Sequence, residues 1–147
     1  MNSMLDSLTD LEVRVRDYVL SRSGARRVTF DVIEGIDCSS NESGDLFKQD
    51  EDFLLFELNV DDVRRAGPGW VSPRRVHGAL DISLFTKQPM DKLKYGRELE
   101  QIADWFQDQT ISGIRFRSFV PTPAVPINGF TAYNGVINID FEIHLTR

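Results

Sequence analysis

Val136-Ile137-Asn138-Ile139-Asp140-Phe141-Glu142-Ile143-His144-Leu145 is the stretch that decides the fold. Ile137, Ile139, Phe141, Ile143 and Leu145 alternate with Asn138, Asp140, Glu142 and His144. Successive side chains of a strand point to opposite faces, so this period of two makes one face apolar and the other polar. The apolar face is predicted to pack on a core and the polar face to meet solvent. A sheet covered on one side only is typical of antiparallel strands with helices segregated to one face.

Upstream elements agree with that picture. Gly113 to Val120 is predicted to be a strand, with Ile114 and Phe116 opposite Arg115 and Arg117; Pro121, Pro123 and Pro126 then break the chain. A helix is predicted from Asp91 to Gln107, with Asp91 as N-cap just after Pro89. Its buried set is Leu93, Leu99, Ile102, Ala103 and Phe106, while Lys92, Arg97, Glu100 and Asp104 face out. Gly96 inside it costs about 1 kcal/mol against Ala. Val76 to Thr86 and Phe53 to Val60 read as strands, and Val28 to Ile33 as a shorter one. Leu8, Leu11, Val15, Tyr18 and Val19 recur at helical spacing, and Arg22 with Gly24 marks that helix's end.

Two segments lack a period. Residues 35–52, centred on Ser39-Ser40-Asn41-Glu42-Ser43-Gly44-Asp45, are predicted to be a polar surface loop. Residues 61–75, containing Gly67-Pro68-Gly69-Trp70 and Ser72-Pro73, are predicted to be a long Arg/Trp loop. The sum is an α+β fold: a single domain over 1–147, an antiparallel or mixed β-sheet with about two helices packed on one face, and long loops.

Composition bounds the function. A chain of 147 residues with 41% apolar and 27% charged content buries roughly 68–70% of its unfolded surface, enough for one core. Lys plus Arg number 17 and Asp plus Glu 23, so 17 − 23 = −6. That balance excludes a protein that coats nucleic acid through a broad positive surface, though not a local basic patch. The single cysteine, Cys38, makes neither an intramolecular disulfide nor a Cys-based metal site. Met1 to Asp6 lacks a signal-peptide pattern, and no apolar run nears the roughly 20 residues of a membrane span. The expectation is a soluble protein made inside a cell, with no membrane partner.

Chemistry-bearing residues are sparse. Cys38 with His77 or His144 is the conceivable nucleophile pair, without a local signature. Asp140, Glu142 and His144 share a strand face at i, i+2, i+4, a pattern open to metal or acid–base chemistry and equally to a solvated sheet face. Gly67-Pro68-Gly69 is followed by no Gly-Lys-Ser/Thr, and Asp61-Asp62 and Asp50-Glu51-Asp52 lack calcium-loop spacing. The expectation is no enzyme, no cofactor and no metal. Arg64, Arg65, Arg74 and Arg75 flank Trp70, residue types enriched at protein–protein hot spots and also suited to phosphate and base contact. A solvated loop with Trp70 tucked onto the sheet accounts for them as well.

From Arg75 onward the chain resembles the tail terminator proteins of long-tailed bacteriophages. Arg75-Val76-His77-Gly78-Ala79-Leu80-Asp81-Ile82-Ser83-Leu84-Phe85 is similar to the family's alternating strand, introduced by an Arg a few residues before a Gly. Leu99-Glu100-Gln101-Ile102-Ala103-Asp104-Trp105-Phe106 resembles its helix with an aromatic end, and Ile114-Arg115-Phe116, a Pro-containing stretch and the strand from Val136 follow in order. The resemblance covers most of the chain, the N-terminal helix and Val28-Thr29-Phe30 included, through patterns rather than fixed letters. It implies a virion protein forming a ring, usually a hexamer, that caps the tail tube, ends polymerisation and joins the head–neck complex. DNA then passes through its lumen. The partners implied are a second copy, the tail tube protein and a head–neck connector or completion protein.

On that reading Arg64, Arg65, Trp70, Arg74 and Arg75 are ring or partner contacts, and Asp140, Glu142 and His144 line a phosphate-repelling lumen. The 35–52 segment departs from the family pattern. Alternative readings are another head–tail joining or neck completion protein, and a small α+β ligand-binding module or enzyme using Cys38 and His77.

Overall fold

The computed structural model describes residues 4–24, 28–30, 52–65, 74–127 and 129–143. Helix α1 spans Met4–Ser23, followed by strands β1 (Val28–Phe30), β2 (Phe53–Arg65) and β3 (Arg74–Thr86). Helix α2 (Lys92–Ala103) comes next, then β4 (Thr110–Ile111), β5 (Ile114–Ile127) and β6 (Phe130–Ile143). The strands form one six-stranded sheet in the order β1-β2-β3-β6-β5-β4. β1 runs parallel to β2 and the remaining pairs are antiparallel. The domain is therefore α+β with a mixed sheet.

Alternation in three adjacent strands builds one apolar face. Leu54, Phe56 and Leu58 of β2 pair with Leu84, Ile82 and Leu80 of β3, and the last two lie against Gly135 and Ile137 of β6. Leu11, Val15 and Val19 of α1 and Tyr95, Leu99, Ile102 and Ala103 of α2 pack on this face in a single core. Both helices thus sit on the same side. Phe106, after α2, touches Tyr18, Phe56 and Phe116 at ring-centroid distances of 5.1, 6.0 and 5.1 Å. Gly24 takes φ +59 at the end of α1, the left-handed C-cap that its position in the sequence predicts.

The other face is apolar at one end only. Phe53, Leu55, Phe85, Phe130 and Ala132 form a second small core, with Phe53 and Phe85 stacked 4.5 Å apart. Towards the opposite end this face turns polar.

Several expectations need correction. Residues 61–65 and 74–75 are strand, not loop. β2 carries a bulge between Val60 and Asp62, which pair with Gly78 and His77 respectively. The extra residue shifts the side-chain phase, so one alternation becomes two that do not join. The three prolines do not end β5. Pro121 and Pro126 hold register with Gly135 and Thr131, and Pro123 falls in a second register shift between Thr122 and Val125. Phe116 and Arg117 still bond to Gln109 and Asp108 on the side away from β6, but among the described residues β5 from Val120 onward pairs with β6 alone, and an outer strand tolerates residues without an N–H.

α2 is shorter than predicted, with Asp91 capping it by accepting the Lys94 amide at 3.1 Å. Leu93 is 65% exposed, because the buried stripe is Tyr95, Leu99, Ile102 and Leu93 lies two residues ahead of it, on the far side. β6 begins at Phe130, earlier than predicted. β4 is a two-residue strand that periodicity does not register, closed onto β5 by Ser112 (φ 51) and Gly113 (φ 79). The segments 35–51 and 66–73, with Cys38 and Trp70, lie outside the described residues, as does His144.

Candidate interaction surface

The polar end of the face opposite α1 and α2 is built by four strands in the order β2-β3-β6-β5. One rung across them reads Asp62, His77, Asp140, Arg115. The next rung towards the hairpin end reads Arg64, Arg75, Glu142. In the other direction Glu57 pairs with Asp81, which pairs with Val136. The same alternation that buries Leu80, Ile137 and Ile139 thus lifts Asp62, His77, Arg75, Asp81, Asp140 and Glu142 onto the open side.

Asp140 is the hub. Its Oδ1 lies 2.5 Å from His77 Nδ1, and its Oδ2 accepts Arg117 Nε at 2.9 Å and Nη2 at 2.7 Å. Arg75 Nε lies 3.7 Å from Glu142 Oε1, an exposed and weak pair. These residues and Arg115 line a shallow hollow of about 610 Å³. Taking Arg75, Arg115 and Arg117 against Asp140 and Glu142, the local balance is 3 − 2 = +1 with His77 neutral. Asp62 stands on the same rung as His77 and Asp140, so the surface is one of mixed charge.

The sequence alone assigns Arg75 to one surface and Glu142 to another; the sheet joins them. Asp140 and Glu142 do not form a bare acidic strip, because β3 and β5 set cations directly beside them. That removes their expected part in repelling phosphate. Arg74 and Arg75, adjacent in sequence, fall on opposite faces of β3, with Arg74 in register with Ile143. Only the backbone of Arg64 and Arg65 is described, in register with Arg75 and Arg74. Arg115 and Arg117 are visible as the polar phase of β5, but their meeting with Asp140 depends on strand order, which periodicity does not encode.

Two carboxylates on this face titrate in opposite directions. Burial alone would raise the Asp140 pKa, but hydrogen bonds from Arg117 and then His77 outweigh it and hold the group below 3.8. Asp81 is raised above 3.8, first by burial and further by Asp61, against a 2.7 Å hydrogen bond from Asn59 Nδ2. A lowered native pKa adds stability that is present above 3.8 and lost as pH falls through the native value; a raised one removes stability as pH rises from 3.8 through the native value. Asp140→Asn is therefore expected to lower the melting temperature at neutral pH, with the deficit closing in acid. Asp81→Asn is expected to raise it at neutral pH, with the gain vanishing below 3.8. Circular-dichroism melts across that range check both signs.

Among the described residues no group of three or more His, Cys, Asp or Glu is placed to hold a metal ion. Among them, too, no helix is long and apolar enough to cross a membrane.

No family model matches the chain, and no curated protein matches it. A solved structure whose description gives no function is similar over 92% of this chain and 93% of its own, with a TM-score of 0.57 and 10% sequence identity. At that identity the likeness is one of fold alone.

Proposed function

We propose that this chain is a tail terminator of a long-tailed bacteriophage. It is a non-enzymatic virion protein at the head-proximal end of the tail, forming a ring, a hexamer by the family's habit. The ring caps the tail tube, ends its polymerisation and offers the joining surface for the head–neck complex.

The observation that supports this reading is the order of elements within one domain. α1 and a short strand precede β3, which Arg75 and Gly78 introduce; α2 leads into Trp105 and Phe106, and β5 and the alternating β6 close the sheet. This is the layout through which the sequence resembles the terminators. The face opposite α1 and α2 adds a built, charged surface of the kind a partner-binding subunit needs. DNA in transit is repelled by the net charge of −6 repeated around the ring, rather than by Asp140 and Glu142, which have cationic neighbours.

A tube-capping assay tests it. Tail tube protein from the same phage genome is polymerised with and without the purified full chain and imaged by electron microscopy. Tubes of limited length with density at one end are expected. Unlimited elongation counts against the terminator, and binding to the head connector without binding to tubes assigns the chain to neck completion instead.

A further inference from the structure

The second core is buried although every residue in it belongs to the sheet itself. Phe53, Phe85 and Ala132 stand side by side across β2, β3 and β6, with Leu55 and Phe130 beside them. None of the five is more than 7% exposed. Strand side chains stand out from the sheet plane, so neighbours on the sheet shield their flanks and leave their tips open. Something beyond the sheet therefore lies over them, and α1 and α2 pack on the opposite face. Thr29 of β1 is level with Leu55 and also buried, and its hydroxyl has no hydrogen-bond partner among the described residues. A buried hydroxyl needs one.

Two stretches outside the described residues cannot reach this place. Residues 66–73 join β2 to β3 at the Arg65 and Arg74 end, and residues 144–147 follow Ile143, which pairs with Arg74. Phe53 and Phe85 pair at the other end of β2, about 40 Å away at 3.3 Å per residue. Eight residues that must return span about 13 Å, and four reach about as far.

The connection from β1 to β2 does reach it. These strands are parallel neighbours, so the chain leaves β1 level with Phe56 and comes back to enter β2 at Phe53. That return is roughly 13 Å, and 53 − 30 − 1 = 22 residues are available for it. The connection ends beside the second core. Asp52 Oδ1 accepts the Lys87 amide at 3.1 Å, and Lys87 Nζ lies 4.9 Å from the centre of the Phe130 ring.

Chirality chooses the face. Connections between parallel strands of one sheet are right-handed in about 98% of cases. α2 lies between β3 and β5, which run parallel on either side of β6, and it crosses the face that holds the main core. The link from β1 to β2 steps the same way along the sheet order, but its strands run opposite to β3 and β5. With the same hand it passes over the opposite face, where the second core lies.

We propose that residues 31–52 lie across this face, with Val32, Ile33, Ile36, Leu46 and Phe47 completing the second core and Ser39 to Asp45 standing off as a polar tip. The apolar residues fall in two groups on either side of the polar stretch. A segment that crosses a core going out and coming back has that pattern. Its main chain also brings Thr29 a hydrogen-bond partner that the sheet does not supply. This chain's own segment is favoured over a second copy, because the tether at both ends holds it at a high effective concentration. The polar surface loop expected over 35–52 is then the tip alone. The inference does not rest on the terminator reading and applies equally to a monomer.

Nuclear Overhauser contacts in the isotope-labelled full chain test it. Contacts from the side chains of Ile33, Ile36 or Phe47 to Phe53, Phe85 or Phe130 are expected, and their absence overturns the proposal. A mixture of labelled and unlabelled chains separates the sources. Contacts found only between chains give the face to a second copy and overturn it as well. Melting supplies a second reading. Leu46→Asp and Phe47→Asp are each expected to lower the melting temperature by about 5 °C or more, because each puts a charge into the core. Ser40→Asp, in the tip, is expected to move it by less than about 2 °C. A melt unmoved in both core variants overturns the proposal.

Discussion

Phe106→Ala is expected to destabilise the domain by about 3–5 kcal/mol. The residue is 0% exposed, yet it belongs to no helix or strand; it sits in the turn after α2, where Phe106 N donates to Ala103 O at 2.9 Å. Its ring is the meeting point of Tyr18 from α1, Phe56 from β2 and Phe116 from β5. Truncation removes the transfer free energy of a phenyl group and leaves a void whose walls belong to three separate elements. Such walls cannot collapse together, because each is fixed by its own backbone hydrogen bonds. At this chain length each kcal/mol moves the melting temperature by roughly 2–4 °C, so a fall of about 6–20 °C is expected. Phe106→Leu, which keeps most of the volume, is expected to lose much less. A loss under about 1 kcal/mol for Phe106→Ala would mean that the void closes, against the packing described. Denaturant unfolding read by circular dichroism measures both.

That residue also shows how far the sequence can be read. Phe106 reads as core because it continues the spacing of Leu99, Ile102 and Ala103, and it is core although the helix stops at Ala103. Periodicity reports which side of a chain is buried, and a tight turn after a helix keeps that side roughly in place. It does not report phase changes. The bulge after Val60 moves Asp62 onto the open face and Val63 onto the other, so a strand reads as a loop. The prolines of β5 mislead for a related reason. Proline is costly only where its N–H is needed, and need depends on having a neighbour strand, which is a property of the sheet order.

The charged surface is legible in the sequence as residues and not as a place. Asp140, Glu142, Arg75, Arg115 and Arg117 all stand in polar phases of their strands. Their meeting follows from β6 lying between β3 and β5, and from a register that sets His77 and Arg115 on either side of Asp140. Register is fixed by the buried partners on the opposite face, Leu80 against Ile137 and Phe116 against Ile139, so the core decides which charges pair.

Gly78→Ala should be the second severe change, costing about 3 kcal/mol and more if the register slips. A Cβ at Gly78 would stand 2.4 Å from the Asn59 carbonyl oxygen and 3.3 Å from Val60 Cα. Both atoms are backbone, so no rotamer change relieves the clash; β2 must move off β3. Glycine is required because β2 bulges immediately after Val60, its partner, and crosses close over β3 there. Gly96→Ala is the control, since nothing lies within 4 Å of its Cβ position in α2, and a gain of about 0.5–1 kcal/mol is expected. The two substitutions add the same methyl group and should shift the melt in opposite directions. The consequence extends to the surface. The bulge that Gly78 admits brings Asp62 into register with His77, and so sets the acid on β2 level with Asp140 and Arg115.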